Sequence, residues 1–190
     1  MSRRITLQDM IAHYKGIDLN GDEILELVGK APVLYSNLSR YSNIDQLLGN
    51  EGYAIVLYQT SSISSGHYVA ITRNAMGKYR YCDSYGLPNP DTELQYTPFD
   101  QPLPKYLTKL LAGTGYESNT FDYQRKNPGV STCGRWSAIF CKLRNLSLTQ
   151  IQELFTLNSD PILRDPDNSA CLLTFLSLRD IPLYYSGLSR

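Results

Sequence analysis

The spacing of hydrophobic residues changes twice along the chain, from a helical period to short strand-like runs and back to a helical period. Apolar residues three or four apart predict helices over residues 6–15 and 21–29 and a shorter helical turn over 44–49. The stretch 33–43 is rich in serine, asparagine and tyrosine and is predicted to be irregular. Residues 1–50 are therefore expected to form a helical cover at the N-terminus.

Short β-rich runs predict the strands of a central sheet over residues 53–85. The continuous apolar run 54–58 is typical of a strand that is buried on both faces. After a polar loop over 61–66, residues 67–73 and 79–85 alternate well enough to form an antiparallel meander. The sequence thus predicts a small, mostly antiparallel sheet.

The helical period returns after a proline-bearing loop over 87–100. Further helices are predicted over 103–113, from Cys133 onwards, over 148–157 and over 168–178, with a last strand at 117–124 and an extended tail at 181–185. The order of helices, antiparallel strands and helices indicates an α+β fold. The 190 residues are expected to form one domain, whose part 103–178 holds the later helices.

The composition is that of an ordinary globular protein, with 42% hydrophobic and 19% charged residues. The 18 basic and 18 acidic residues balance, so the overall charge does not indicate binding to nucleic acid or membranes, although a local basic patch for nucleic acid stays open. No apolar run approaches the roughly 20 residues of a membrane span. The first residues lack an apolar signal core, and an intracellular protein is expected.

The four cysteines are spread along the chain without a C-x-x-C pair; they are Cys82, Cys133, Cys141 and Cys171. This spacing suits neither a zinc site nor a disulfide framework, and it predicts reduced thiols. Three of them are expected to be core residues, because cysteine is among the most buried residue types.

Cys133 differs from the other cysteines because a polar, turn-forming run over 126–132 ends there and an apolar helical pattern begins. Ser131 or Thr132 is suited to cap this helix, so Cys133 is expected in its first turn. Unpaired backbone N–H groups and the positive end of the helix dipole favour a thiolate over a thiol at such a position. Cys133 is therefore the candidate nucleophile.

His67 stands at the start of one predicted strand, and Asp83 lies near the end of the next. These two ends are neighbours in an antiparallel meander, so the two side chains are expected to meet. A carboxylate that bonds one ring nitrogen fixes the tautomer and stabilises the imidazolium, and the other nitrogen then takes the proton of Cys133. His67 is the candidate base, and Asp83 is the candidate orienting group.

Gln124 precedes Cys133 by nine residues. Its side-chain amide is expected to meet the backbone N–H of Cys133, and these two donors would hold the negative oxygen of a tetrahedral intermediate. Gly134, beside the nucleophile, would let a substrate backbone approach closely. Gly66 and Trp136 are further candidates for substrate contact, although a tryptophan at such a position more often packs in a core.

The motifs S-G-H-Y-V-A-I, Y-C-D-S-Y-G and Y-Q-x8-C-G-R-W follow one another within residues 53–145. In this order they resemble the adenovirus-protease type of cysteine endopeptidase, which shares its fold with the proteases of SUMO and ubiquitin-like proteins. The C-G-R-W form is most similar to the maturation proteases of virophages and related self-synthesising transposons. The resemblance implies that Cys133 is the nucleophile, His67 the general base and acid, Asp83 the orienting acid and Gln124 an oxyanion-hole donor.

Members of the viral branch cut capsid and core precursor proteins, commonly after small residues in glycine-rich sites. The resemblance therefore implies capsid precursors as substrates, and the host-cell cytoplasm with its viral factories and the virion interior as locations. Catalysis of this type needs no metal, and the protein is expected to be a monomer without a cofactor.

Two functions other than capsid processing stay open. The same residues would serve an isopeptidase that removes a ubiquitin-like modifier, and a member of this type that has lost activity would remain a capsid-binding module. Each residue taken alone has a commoner structural role, as a core cysteine or a strand-end histidine. The joint occurrence of the required residue types in the order of this protease type favours the peptidase.

Overall fold

A five-stranded mixed sheet forms the centre of the computed structural model, which describes residues 6–62, 65–98, 100 and 102–177. Its strands, in spatial order, are β1 (Val33–Leu34), β2 (Tyr53–Ser62), β3 (Ser65–Arg73), β4 (Tyr79–Cys82) and β5 (Glu117–Ser118). β2, β3 and β4 form an antiparallel meander, while β1 pairs parallel to β2 and β5 parallel to β4. The predicted single-domain α+β architecture is confirmed.

Helices cover both faces of this sheet. They are α1 (Leu7–Lys15), α2 (Gly21–Val28), α3 (Ile44–Leu48), α4 (Tyr106–Leu111), α5 (Cys133–Lys142), α6 (Leu148–Thr156) and α7 (Pro166–Ser177), with 3₁₀ helices at Tyr35–Arg40 and Thr92–Tyr96. Capping boxes start α1, α2 and α6, because a side-chain oxygen at each N-cap and an acidic or amide side chain three residues later bond one another's backbone N–H groups. No helix in these described ranges is long and apolar enough to span a membrane.

The alternation of side chains along β2 divides the interior into two cores. Ile55 and Leu57 point to one face, where they join Trp136 and Phe140 of α5 and residues of α2, α6 and α7. The residues between them point to the other face, where they meet α3, α4 and the first 3₁₀ helix. β2 is apolar throughout this run because both of its faces are covered.

The structure corrects several predicted element boundaries. Part of the predicted loop 61–66 belongs to β2 and β3, so the hairpin is longer than expected. The stretch 33–43 contains β1 and a 3₁₀ helix, and the loop 87–100 contains the second 3₁₀ helix. The predicted strand 117–124 is ordered as a strand only over β5, and the predicted tail 181–185 lies outside the described residues.

The strand predicted over 79–85 ends at Cys82 because side chains take over the backbone hydrogen bonds there. The backbone N–H of Asp83 donates to the side chain of Asn119, and the N–H of Tyr85 donates to the side chain of Asp83. The carbonyl of Ser84 accepts from two successive N–H groups at 123 and 124 instead of joining a ladder. This early end of β4 turns the chain toward the cleft described below.

Gly66 provides a test of the hairpin geometry. It lies in β3 opposite Gln59, next to a register shift between Gln59 and Ser62, and a Cβ at Gly66 would lie 1.7 Å from the carbonyl oxygen of Tyr58. We expect Gly66→Ala to lower the free energy of unfolding by at least about 2 kcal/mol in urea titrations, because the backbones must separate.

Gly21→Ala is the matched control for this substitution. Gly21 opens α2, and a Cβ there would meet Pro32 at an ordinary contact distance of 3.6 Å. We expect a change below about 0.5 kcal/mol. Equal effects of the two substitutions would show that the close approach at Gly66 does not constrain the hairpin.

Candidate active site

A cleft of about 420 Å³ opens where the N-terminus of α5 meets the start of β3. It is lined by residues from several separate segments of the chain, among them Gly66, His67, Tyr85, Glu93, Gln124 and Cys133. The packing of α5 across β3 sets this position, since the first turn of α5 rests against Tyr68. The cleft therefore joins residues that are far apart in sequence.

Cys133 is the first residue of α5 and is 6% exposed. Thr132 occupies the N-cap position, but its side chain makes no bond to the helix, and its hydroxyl donates to Asp167 instead. The predicted side-chain cap is thus absent at the start of α5, and the first backbone N–H groups of the helix keep no side-chain acceptor. The Cys133 Sγ lies 3.9 Å from the Gly66 carbonyl oxygen across the cleft.

His67 and Asp83 lie together, as the meander predicts. The His67 Nε2 is 3.1 Å from the Asp83 Oδ1, and these residues are 5% and 0% exposed. The same carboxylate accepts the Tyr85 N–H at 2.7 Å and the Tyr81 hydroxyl at 3.4 Å. Asn119 holds the backbone of Asp83 on both sides, accepting its N–H and donating to its carbonyl. The carboxylate thus has a fixed position in the protein interior.

The second ring nitrogen of His67 is available to Cys133 because Nε2 faces Asp83. Burial lowers the pKa of His67, but the hydrogen bond to Asp83 and the electrostatic influence of Asp83 and Cys133 outweigh burial and raise this pKa well above its usual value. Tyr85 stacks on the imidazole, with ring centroids 4.7 Å apart and planes 11° apart. The site therefore favours an imidazolium held between a carboxylate and a sulfur.

Gln124 lies in the wall of the same cleft and is 1% exposed. Its Oε1 accepts the Ser84 hydroxyl at 2.8 Å, which fixes the direction of the amide. Its Nε2 donates to the Tyr85 hydroxyl at 3.3 Å and to the Val130 carbonyl at 3.2 Å. Both donor contacts are long, so a stronger acceptor in the cleft, such as an oxyanion, can replace one of them at little cost.

The three residues predicted to contact substrate lie in different places. Gly66 lines the cleft. Trp136 is fully buried, and its Nε1 donates to Asp167 at 3.1 Å, so its predicted substrate contact is wrong and it is a core residue. A Cβ at Gly134 would face Leu19 and other core side chains at 3.3 to 3.4 Å, so this glycine allows α5 to pack closely rather than making room for substrate.

The remaining cysteines are free and buried: Cys82, Cys141 and Cys171. Burial raises the pKa of Cys82 to about 12 and that of Cys171 to about 11, and it raises the pKa of Cys141 as well. These thiols stay protonated and unreactive at neutral pH. The prediction that they are core residues is confirmed.

Asp167 is a fully buried residue of α7 that the sequence did not reveal. Its carboxylate accepts from the Thr132 hydroxyl, from the Trp136 indole and, at 2.9 Å, from the backbone N–H of Arg125. It therefore connects the residue before Cys133 to the residue after Gln124. An aspartate in the first turn of a predicted helix is too common a feature to indicate such a role.

Glu93, in the second 3₁₀ helix, is a further acid of the cleft that the sequence did not reveal. It is 4% exposed, and burial raises its pKa, while His67 and Lys126 lower it and Asp83 raises it. Within the described part of the chain, His67, Asp83 and Glu93 form the one cluster with potential metal ligands, all within 4.8 Å of one another. A metal ion there would have to replace the hydrogen bond between His67 and Asp83.

The structure is that of a single-domain α+β protein with a cysteine and a histidine in one cleft and a buried aspartate bonded to the histidine. No protein-family model matches the chain. It is similar to "Uncharacterized protein V9" of Sputnik virophage, with 29% identity over 153 residues that cover 75% of this chain and 86% of V9. The chain thus resembles a virophage protein whose name states no activity.

We expect Asp167→Ala to lower the free energy of unfolding by about 2 to 4 kcal/mol, because three buried donors lose their acceptor. Urea titration monitored by the fluorescence of Trp136, the single tryptophan, measures the effect. Asp122→Ala, at an exposed aspartate, is the control and should change the stability by less than about 0.5 kcal/mol. A small effect of Asp167→Ala would mean that water replaces the lost carboxylate.

Asp83→Asn should lower the pKa of His67, because the carboxylate bond that raises it is lost and the burial that lowers it remains. NMR titration of the imidazole ring protons measures this pKa, with Asp122→Asn as a charge-matched control. The raised pKa also stabilises the folded chain. This contribution is complete below about pH 6.5, the usual value for an unfolded histidine, and is lost as the pH rises through the folded-state value. An unchanged pKa in Asp83→Asn would assign the shift to Cys133 alone.

Proposed function

We propose that the protein is a cysteine endopeptidase of the adenovirus-protease type that cuts capsid precursor proteins during virion maturation. The observation that carries this proposal is the 3.1 Å contact between the His67 Nε2 and the Asp83 Oδ1 in the cleft that also contains Cys133. A buried carboxylate, an imidazole with a raised pKa and a thiol at a helix N-terminus together supply what thiol-dependent acyl transfer requires.

The reaction begins when the Cys133 thiolate attacks the carbonyl carbon of the scissile peptide bond. The carbonyl oxygen becomes an oxyanion, and the Cys133 N–H and the Gln124 amide are its donors. The His67 imidazolium gives its proton to the leaving amine, and the C–N bond breaks to leave a thioester on Cys133. His67 then takes a proton from water, whose oxygen attacks the thioester; the C–S bond breaks, the acid product leaves, and the Cys133 thiolate and the His67 imidazolium are restored.

Asp83 orients the imidazole throughout this cycle. Its bonds to the Tyr85 N–H and to the Asn119 side chain prevent the carboxylate from turning away from His67. Tyr85 stacks on the ring and accepts from Gln124, so it touches the base and the oxyanion donor together. The acid–base group and the oxyanion donor are therefore aligned by one shared set of contacts before substrate arrives.

The substrate class follows from the resemblance and from the viral relative. Similarity to a Sputnik virophage protein over most of both chains supports a viral context for the protein. The cleft is bordered by Tyr85, Leu87 and Val130 beside the nucleophile, which favours an extended peptide with small residues at the scissile bond. We place cleavage in the viral factories of the host cytoplasm and in the virion interior, where capsid precursors accumulate.

The test is to incubate the purified protein with the capsid proteins of its own source and to measure the intact masses of the products. We expect discrete cleavage at one or a few sites. Cys133→Ala should abolish it, because no nucleophile remains, whereas Cys171→Ala, at a buried thiol outside the cleft, should retain it. Iodoacetamide at neutral pH should label Cys133 in preference to the three buried thiols.

Each other outcome of this experiment has a definite meaning. Cleavage that persists in Cys133→Ala would rule out Cys133 as the nucleophile. A reactive Cys133 without capsid cleavage would overturn the capsid substrate, and labelling by a ubiquitin-type or SUMO-type probe would then show a modifier isopeptidase. An unreactive Cys133 without cleavage would reject the enzyme and leave a binding module.

A further inference from the structure

Glu93 is a charged group of the cleft that the proposed reaction does not use. It is 4% exposed, yet its carboxylate takes part in no hydrogen bond or ion pair with any residue in the described part of the chain, and it borders the open space of the cleft. Other buried carboxylates nearby are fully bonded, as Asp83 and Asp167 show. Glu93 is therefore a buried acceptor whose partner is not part of the described fold.

Burial raises the pKa of Glu93, so its charged form is disfavoured in the free protein. Burial without a hydrogen-bond donor carries a desolvation cost, and Asp83 adds repulsion from the same side. The positive charges that favour the Glu93 carboxylate are His67 and the exposed Lys126. Lys126 lies over the Tyr85 ring at 5.3 Å and forms no ion pair with Glu93. A cationic group that entered the cleft would relieve this cost, so the site favours a positively charged ligand.

The position of Glu93 next to His67 indicates which part of a substrate would reach it. The leaving amine must lie beside His67, because this residue supplies its proton. The ligand atoms of Glu93, His67 and Asp83 lie within 4.8 Å of one another, so Glu93 stands at the His67 end of the cleft. In the proposed reaction this is the end at which the leaving amine takes its proton. Residues immediately after the scissile bond are the ones whose side chains come within reach of the carboxylate.

We propose that Glu93 determines specificity by pairing with a lysine or arginine side chain in the substrate segment that follows the scissile bond. This inference rests on the proposed function and deepens it, since it adds a charge requirement on the leaving side to the small residues expected on the acyl side. Asp18, an exposed carboxylate in the same cleft, adds to the negative field at the entrance.

The test uses peptides that span a site cut by the wild-type protein, with lysine, glutamine or glutamate placed in turn at each of the first three leaving-side positions. At one position we expect kcat/KM to be about tenfold higher for lysine than for glutamine, which is the gain typical of a buried charge-assisted hydrogen bond. The value for glutamate should be lower than that for glutamine. Glu93→Gln should bring the ratio of lysine to glutamine to about one, and Glu93→Lys should favour glutamate.

Asp18→Asn is the matched control, since it removes an exposed carboxylate of the same cleft and should retain the lysine preference. A preference that survives in Glu93→Gln, or no preference in the wild-type protein, would overturn the specificity role while leaving the peptidase intact. If none of the peptides is cleaved and Cys133 is unreactive, the proposed peptidase function is rejected, and the specificity role of Glu93 is rejected with it.

A second measurement separates recognition from catalysis. Calorimetry measures how tightly Cys133→Ala binds the leaving-side product peptide that carries the lysine. The double variant with Glu93→Gln should bind the same peptide about tenfold more weakly. An unchanged affinity would contradict the proposed pairing even if the kinetic preference were present.

Discussion

The complete burial of the Asp83 carboxylate is the constraint on which the rest of the site depends. A charge with no exposed surface is tolerated only where donors surround it, and here the donors are His67 of β3, the Tyr81 hydroxyl of β4 and the Tyr85 N–H in the turn after β4. Satisfying Asp83 therefore fixes the direction of the His67 ring and the path of the chain at Tyr85. The same polar network therefore satisfies a buried charge and orients the His67 ring.

A second buried carboxylate plays a corresponding part behind Cys133. Asp167 joins α7 to the start of α5 and to the segment that carries Gln124, while Asp83 is bonded to His67 of the sheet. Cys133 and His67, on opposite sides of the cleft, are thus each supported by a buried carboxylate in the core behind them. Packing of α5 across β3 then sets how far apart the two sides lie. Small shifts of α7 would reach Cys133 through Thr132.

The sequence could predict those features that follow from local pattern. Alternation and strand order placed His67 beside Asp83, and the abrupt change at Cys133 placed that residue at a helix start. It could not predict Asp167 or Asn119, because their partners are backbone groups and side chains some 30 to 40 residues away, and no local spacing encodes such bonds. Trp136 was misassigned because periodicity marks a residue as apolar without telling which neighbours cover it.

The pairing near the tip of the β2–β3 hairpin is irregular, so the length of the hairpin can change independently of the sheet face on which His67 lies. A one-residue slip along an antiparallel pair would carry His67 to the opposite face of the sheet, away from Cys133. The shift in register lies between Gln59 and Ser62, whereas Tyr58 and His67 pair in the regular part. Insertions or deletions beyond the bulge can therefore change the length of the hairpin beside the cleft while the imidazole keeps its face. Related chains are thus free to vary the hairpin without rebuilding the pairing of His67 with Asp83.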